Sequence, residues 1–481
     1  MVLTRVCSLW RSVALSSPRI WTRLHIPLPG DPRVSSNNIM SNARLLELRQ
    51  RFSKTMALRC QAVKEWLDRS GSCPLLLSIA HPFEYFPHVG NDGGEEEDDV
   101  AGPLFQIIHP YAARWEHLRL SMPLSIYQKL ETKIPLDRLS RLQSFTGNIL
   151  STGPSLGVAP TPTPLHIIEL PSLKALSLNC LQLTINIGRY RNSWNRLTNM
   201  RFESPVTDTD LLELLRQCHN LITLDVNVQV PWIRQESLEP NLAMVLLPHL
   251  ESLKLCETGA TSRAIFAVNA PSLKVLHYRS PPRYHSNFEA RLFRPEELIW
   301  LISNAAASLQ ALSIDPQTLE PEHVLECLRL AVHVKDLTFG DNLVFDPDSE
   351  EGIRYYDFFD LEAFTVPTVE YESSTTNSMP LQNEFLLPKL ESLEVNDGYI
   401  IGNDKIRRIL MSRIDAAQRR LTSPLRFVKI QFWRQKEEDI VPEIVARARD
   451  AGLEMKLDLV YRPSSSPIVG PLSPSFLLPN H

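Results

Sequence analysis

Thirteen histidines, seven cysteines and 55 acidic residues are the side chains from which a catalytic or metal centre would be built, and their spacing argues against one. His109 and His117 stand eight residues apart, His166 falls in a later stretch, and His81 and His88 adjoin prolines. Zinc needs a tetrahedral set at matching spacing, so all five read as exposed or hydrogen-bonded histidines. The run Asp92-Gly93-Gly94-Glu95-Glu96-Glu97-Asp98-Asp99 gathers oxygen ligands. It lacks the single turn glycine and distal glutamate of a calcium loop, and its like charges repel one another, which predicts a disordered surface loop at 91–100. Asp208 and Asp210 precede Leu-Leu-Glu-Leu-Leu and are placed to cap a helix instead of sharing a proton as acid and base. No Gly-x-Gly-x-x-Gly, phosphate loop, His-Glu-x-x-His or Gly-x-Ser-x-Gly phrase occurs. The expectation is a chain that is not an enzyme, with no cofactor and no metal.

What the chain does repeat is a leucine phrase. Three apolar residues, spaced three and then two apart, recur as Leu173, Leu176, Leu178, as Leu221, Leu224, Val226, as Leu250, Leu253, Leu255 and as Leu390, Leu393, Val395. Polar neighbours recur too: Leu-Pro-Ser-Leu-Lys-Ala-Leu-Ser-Leu from 170, Leu-Pro-His-Leu-Glu-Ser-Leu-Lys-Leu from 247 and Leu-Pro-Lys-Leu-Glu-Ser-Leu-Glu-Val from 387. From Leu176 the middle residue advances to 200, 224, 253, 276, 312 and 337, in steps of 24, 24, 29, 23, 36 and 25 residues. Most steps lie near the roughly 20 to 29 residues of a leucine-rich repeat. The step from 337 to 393 is 56 residues, long enough for one degenerate unit around Val366 to Tyr371.

One such unit holds a short strand and a return segment and cannot bury its apolar face alone, so units must stack. The fold class expected is α/β, a leucine-rich-repeat solenoid with parallel strands on one side and helices on the other, over 75–460. Helices are expected at Leu104 to Trp115, at Ile126 to Ile134, after Asp208, after Pro295 and Pro321, from Ile406 to Ile414 behind a cap at Asn403 or Asp404, and from Glu438 to Ala451. The residues interleaved with the leucines, among them Lys174, Ser177, Lys254, His277 and Glu394, are expected to line the surface that holds a protein partner. Asp346 to Tyr356 and Glu370 to Ser378 read as surface insertions, and 461–481 as a flexible, proline-rich tail.

Composition narrows the partners. The net charge of -5 offers no general attraction to nucleic acid or an acidic membrane. There is no uncharged apolar run of membrane-spanning length and no signal peptide. Scattered cysteines without Cys-x-x-Cys fit a reducing compartment, hence cytoplasm or nucleus. Residues 1–70 are different: 12 Lys and Arg face 4 Asp and Glu.

Residues 2–15 read as an amphipathic helix carrying Val6, Leu9, Trp10 and Val13 at helical spacing, stopped by Ser16-Ser17-Pro18. Trp21 follows, then Leu24, Ile26 and Leu28 alternate as in a strand. Ala43 to Leu67 reads as a second helix, ended by Ser70-Gly71. Val6-Cys7, Trp10-Arg11, Ala14-Leu15, Pro18 and Trp21, with Trp66-Leu67-Asp68-Arg69-Ser70-Gly71-Ser72 and Pro74-Leu75, resemble the second half of the F-box and the following linker in large families of mushroom-type fungal F-box proteins, which continue into degenerate leucine-rich repeats. The first half of that motif, a Leu-Pro phrase and an initial helix, has no counterpart from Met1 onward, and an incomplete gene model would account for this. The resemblance implies 1–28 as a partial F-box, 29–74 as a helical linker, a Skp1 adaptor of a cullin-RING ubiquitin ligase as partner, and contact with it through Val6, Trp10, Val13, Leu15, Pro18 and Trp21. The repeats would then hold an unknown protein substrate.

Overall fold

The computed structural model describes residues 7–30, 42–81, 101–150, 165–180, 187–230, 243–259, 263–280, 295–315, 319–340, 360–366, 385–396, 401–432 and 434–461. Val6, the acidic run, both surface insertions and residues 462–481 of the tail lie outside the described residues, while Tyr461, expected to open the tail, ends a strand. The chain divides into two compact units, one of 1–258 with 262–269 and one of 259–261 with 270–481.

The first unit opens with helix α1 (Ser8–Ser16) and a 3-10 turn (Pro18–Trp21), followed by strand β1 (Arg23–Pro27) and helix α2 (Asn42–Arg69). Then come β2 (Leu75–Ala80), α3 (Gly102–Ile108), β3 (Trp115–Pro123), α4 (Leu124–Lys133), β4 (Ser144–Leu150), β5 (Ala175–Asn179) and β6 (Asn199–Thr207). It ends with α5 (Asp208–Leu215), β7 (Thr223–Val230), β8 (Val245–Leu246), β9 (Ser252–Gly259), α6 (Arg263–Ala267) and β10 (Val268–Asn269). Strands β1 to β7 pair side by side in chain order, each parallel to the next, and β9 follows β7.

The leucine phrase becomes this sheet. Leu24, Leu77, Leu118, Phe145, Leu176, Met200 and Leu224 stand opposite one another in register, and all but Leu24 are buried. Because side chains alternate across a strand, the residues between them face the other way and stay exposed or half-buried. One hydrogen-bond device repeats at the starts of β5, β6 and β7. The Gln143 carbonyl accepts the N–H of Lys174 (2.8 Å) and of Ala175 (2.9 Å), Lys174 serves Thr198 (2.8 Å) and Asn199 (3.2 Å), and Thr198 serves Ile222 (2.7 Å) and Thr223 (3.0 Å). Pairing every backbone donor of the approaching segment keeps the register fixed whatever the length of the return.

Strand β1 pairs with β2 through Leu24↔Leu77 and Ile26↔Ile79. The sheet therefore begins at Arg23, ahead of the boundary expected at 75, and α2 is the return of its first rung. The Gly71 backbone ends α2 at a φ of +56°, a conformation a side chain would strain.

Not every return is a helix. Between β4 and β6 the chain uses 3-10 turns at His166–Glu169, Ile187–Tyr190 and Trp194–Arg196. Ile-Gly-Arg-Tyr-Arg-Asn-Ser-Trp-Asn-Arg has few helix formers, and aromatic rings fill the volume a helix would take. Trp194 is fully buried and donates to the Ile187 carbonyl at 3.0 Å. Its ring meets Tyr190 edge-on at 6.0 Å, and the Tyr190 hydroxyl accepts the Leu165 N–H at 2.7 Å.

The caps also differ from expectation. Thr207, not Asp208 or Asp210, caps α5, accepting the Asp210 N–H at 3.2 Å. The Asp208 carboxylate is turned away to accept the Ala264 N–H at 3.0 Å, so it serves the first turn of α6.

The second unit runs β11 (Val275–Arg279), α7 (Pro295–Ala305), β12 (Ala311–Ile314), α8 (Pro321–Leu330), β13 (Asp336–Phe339), a 3-10 turn (Leu361–Phe364) and β14 (Ser392–Val395). It closes with α9 (Asn403–Gln418), β15 (Phe427–Phe432), α10 (Val441–Asp450) and β16 (Lys456–Tyr461). These six strands are again parallel neighbours in chain order, with Leu276, Leu312, Leu337, Leu393, Val428 and Leu457 in register. Strand β13 pairs directly with β14, and of the degenerate unit expected between them, around Val366 to Tyr371, residues 367–371 lie outside the described residues.

An arginine holds that long return in place. Arg413, 2% exposed, donates to the carbonyls of Phe364 (3.0 Å), Leu387 (3.1 Å) and Leu386, tying two irregular stretches to α9. Burial draws its guanidinium down to about 10. Helix α9 starts at Gly402 without a side-chain cap. Asn403 instead accepts from Arg434 at 2.6 Å, and Asp404 pairs with Arg407 at 2.6 Å.

Candidate protein-binding surfaces

Two surfaces of the first unit carry side chains that its own fold does not use. The first is α1. Its start is capped by Cys7, whose Sγ accepts the Trp10 N–H at 3.4 Å, and the Ser17-Pro18 phrase ends it as the sequence predicts. Only Ala14 of this helix is buried. At 100° per residue Leu9, Val13 and Trp10 fall on one stripe, and they are 70%, 49% and 53% exposed. Leu15 is exposed on the opposite side, and Pro18 and Ile20 are exposed on the turn that follows.

Trp21 does not share that stripe. It has no exposed surface. Its indole N–H donates to the Ala14 carbonyl at 2.7 Å, and its own carbonyl accepts the Trp66 indole N–H at 2.7 Å. The two rings meet edge-on at 4.9 Å, and the Arg69 guanidinium covers Trp21 at 4.9 Å. Among the residues linked to the adaptor by resemblance, then, Trp10 and Val13 lie together on an open apolar face, Leu15 and Pro18 are exposed elsewhere, and Trp21 is the brace that positions the helix. Leu9, expected on the apolar side of this helix but not among the adaptor contacts that the resemblance implies, completes the face.

The second surface is the exposed side of the sheet. Ser177 lies between Leu176 and Leu178, opposite Thr146 and Arg201. Lys254 holds the same place between Leu253 and Leu255 and is exposed. Lys174 stands one rung-start earlier, with its carbonyl in the hydrogen-bond device and its side chain exposed at the rim. Ahead of them in the same rows come Arg23, His25, His117 and Arg119, all exposed, which sequence inspection did not select because they lie in the least regular phrases. Farther along, Arg201 is held by Glu203 (3.2 Å) and Asp225 (3.4 Å).

In the second unit His277 is exposed beside Ser313, and Glu394 is half-buried between Thr338 and Lys429, whose ammonium it pairs with at 2.5 Å. Neighbouring charges there are similarly matched, as in Arg426 with Glu391 at 3.5 Å.

Among the described residues no group of three or more His, Cys, Asp and Glu side chains is placed to hold a metal ion, and no helix is long and apolar enough to cross a membrane. Burial pushes the thiols of Cys180, Cys218 and Cys327 up to about 12, the reverse of what a nucleophile requires. The arrangement is that of a parallel sheet interleaved with helices in a repeating order. No protein-family model matches the chain, and no curated protein matches it in sequence.

Proposed function

We propose that this chain is a leucine-rich-repeat substrate-recognition subunit of a Skp1-cullin-F-box ubiquitin ligase. Helix α1 docks on the Skp1 adaptor, and the exposed face of the sheet holds a protein substrate. The observation that carries the reading is the stripe of Leu9, Trp10 and Val13, left open to solvent on a helix that the Trp21–Trp66 pair fixes in place. An apolar stripe on a well-anchored helix is the form in which helices enter a partner's groove. The resemblance of residues 6–21 and 66–75 to fungal F-box proteins names the partner. The chain performs no reaction itself; it brings a substrate to the ubiquitin-loaded enzyme.

Burial of Trp21 favours a second reading, a non-catalytic protein-binding scaffold without the adaptor, since one expected contact residue is committed to the fold. Affinity purification separates the two. The full chain is expected to retain a Skp1 adaptor and its cullin, and Trp10→Glu to lose both while melting at the same temperature. Equal capture by the two proteins would remove the ligase role.

A further inference from the structure

We propose that the exposed face of β1, β2 and β3 binds an acidic segment of a protein partner in extended conformation. This rests on the sheet face being the recognition surface and assigns the chemistry it reads.

Register places the residues in two rows. Arg23, Leu76 and His117 are opposite one another, as are His25, Ser78 and Arg119. Both arginines and both histidines are exposed. The one polar contact within the set is His25 Nδ1 with Ser78 Oγ at 3.0 Å, and among the described residues no carboxylate pairs with Arg23 or Arg119. Strands β1 to β5 contain a single acidic residue, Glu116, whereas Arg201 in β6 and, within the second unit, Arg426 and Lys429 each have a carboxylate partner. The start of the first unit is thus a stretch of the face that sets arginines and histidines beside almost no acid.

Their spacing selects the ligand. Residues two apart on a strand are separated by about 6.6 Å, and rows two strands apart by about 10 Å. No single anion can touch the whole set at that spread. Carboxylates strung along an extended chain can, since its side chains repeat at the same interval. Half-buried Leu76 between Arg23 and His117 gives such a chain an apolar floor.

The test is fluorescence anisotropy with the full chain and a labelled peptide of alternating Glu and Ser, beside the same peptide with Gln for Glu. The Glu peptide is expected to bind and the Gln peptide not. Arg119→Glu and Arg23→Glu are each expected to weaken binding about fivefold or more. Lys64→Glu, a charge reversal on the exposed side of α2 and off the sheet face, should leave it unchanged, and matched melting curves confirm that the exposed variants fold. Equal binding of the two peptides, or no effect of Arg119→Glu, overturns the proposal. So does binding that appears only once Glu95, Glu96, Glu97, Asp98 and Asp99 are neutralised, because the chain's own acidic run would then be the occupant. Adaptor capture is measured on the same samples: a chain that retains Skp1 but ignores the Glu peptide refutes this inference alone, and one that binds the peptide without Skp1 refutes only the ligase role.

Discussion

Trp10 and Trp21 are the same residue type eleven positions apart, and the fold uses them in opposite ways. Trp21 fills a closed space and spends both its indole N–H and its carbonyl on neighbours, so its loss is a stability event. Trp21→Ala is expected to cost about 3–5 kcal/mol, and Trp21→Phe, which keeps a ring against Trp66 but removes the bond to Ala14, about 1 kcal/mol. Urea midpoints measure both. Sequence alone could not separate the two tryptophans, because each is apolar and each lies near a helix end. What separates them is the long return of the chain, which brings Trp66 against Trp21 while Trp10 stays 53% exposed. The same holds for Asp208 and Asn403, expected as helix caps: each opens its helix, but its side chain is drawn off by Ala264 or Arg434 from elements far along the chain.

At the scale of the element, the leucine phrase made the rungs legible, since its spacing of three and two forces alternate burial on a short strand. The strand positions follow the phrase even where returns lengthen. Where a rung breaks the pattern, packing explains it. In β4 the third apolar place of the phrase is taken by Gly147, and a Cβ there would lie 2.9 Å from the Phe145 ring and 3.3 Å from Ile149 Cδ1. Phe145 occupies the missing leucine's volume, so Gly147→Ala is expected to destabilise by about 1–3 kcal/mol. Gly147→Leu alone should be worse, and combining it with Phe145→Leu should recover part of the loss, a coupling that a double-mutant cycle of denaturation free energies reads directly. The returns were less legible. A rung needs only a chain of sufficient length, so Ile187 to Arg196 and Leu361 to Phe364 satisfy it with turns and aromatic plugs, for which hydrophobic periodicity gives no signal.

Within the molecule as a whole, the buried thiols make a prediction about pH. Cys180, Cys218 and Cys327 keep their protons in the folded state up to about 12, against an ordinary value of 9.0. The unfolded chain loses them first, so their contribution is complete below the ordinary value and is lost as the pH rises through the folded one. The denaturation midpoint should therefore fall between about pH 8 and about pH 10.5, and fall less in a variant with all three replaced by Ala. The basic balance of the first 70 residues was legible, but of its described Lys and Arg only Arg23 lies on the sheet face, and its place beside His117 and Arg119 required the register of β1 with β2 and β3.

The central claim is that α1 is held by the fold yet open for an adaptor. Hydrogen–deuterium exchange of the full chain with and without purified Skp1 tests it most directly. Added Skp1 should slow exchange at Ser8–Ser16 and leave β4 to β7 unchanged. Exchange at Ser8–Ser16 that is the same in both samples, under conditions where the two proteins are fully mixed at high concentration, would contradict the account.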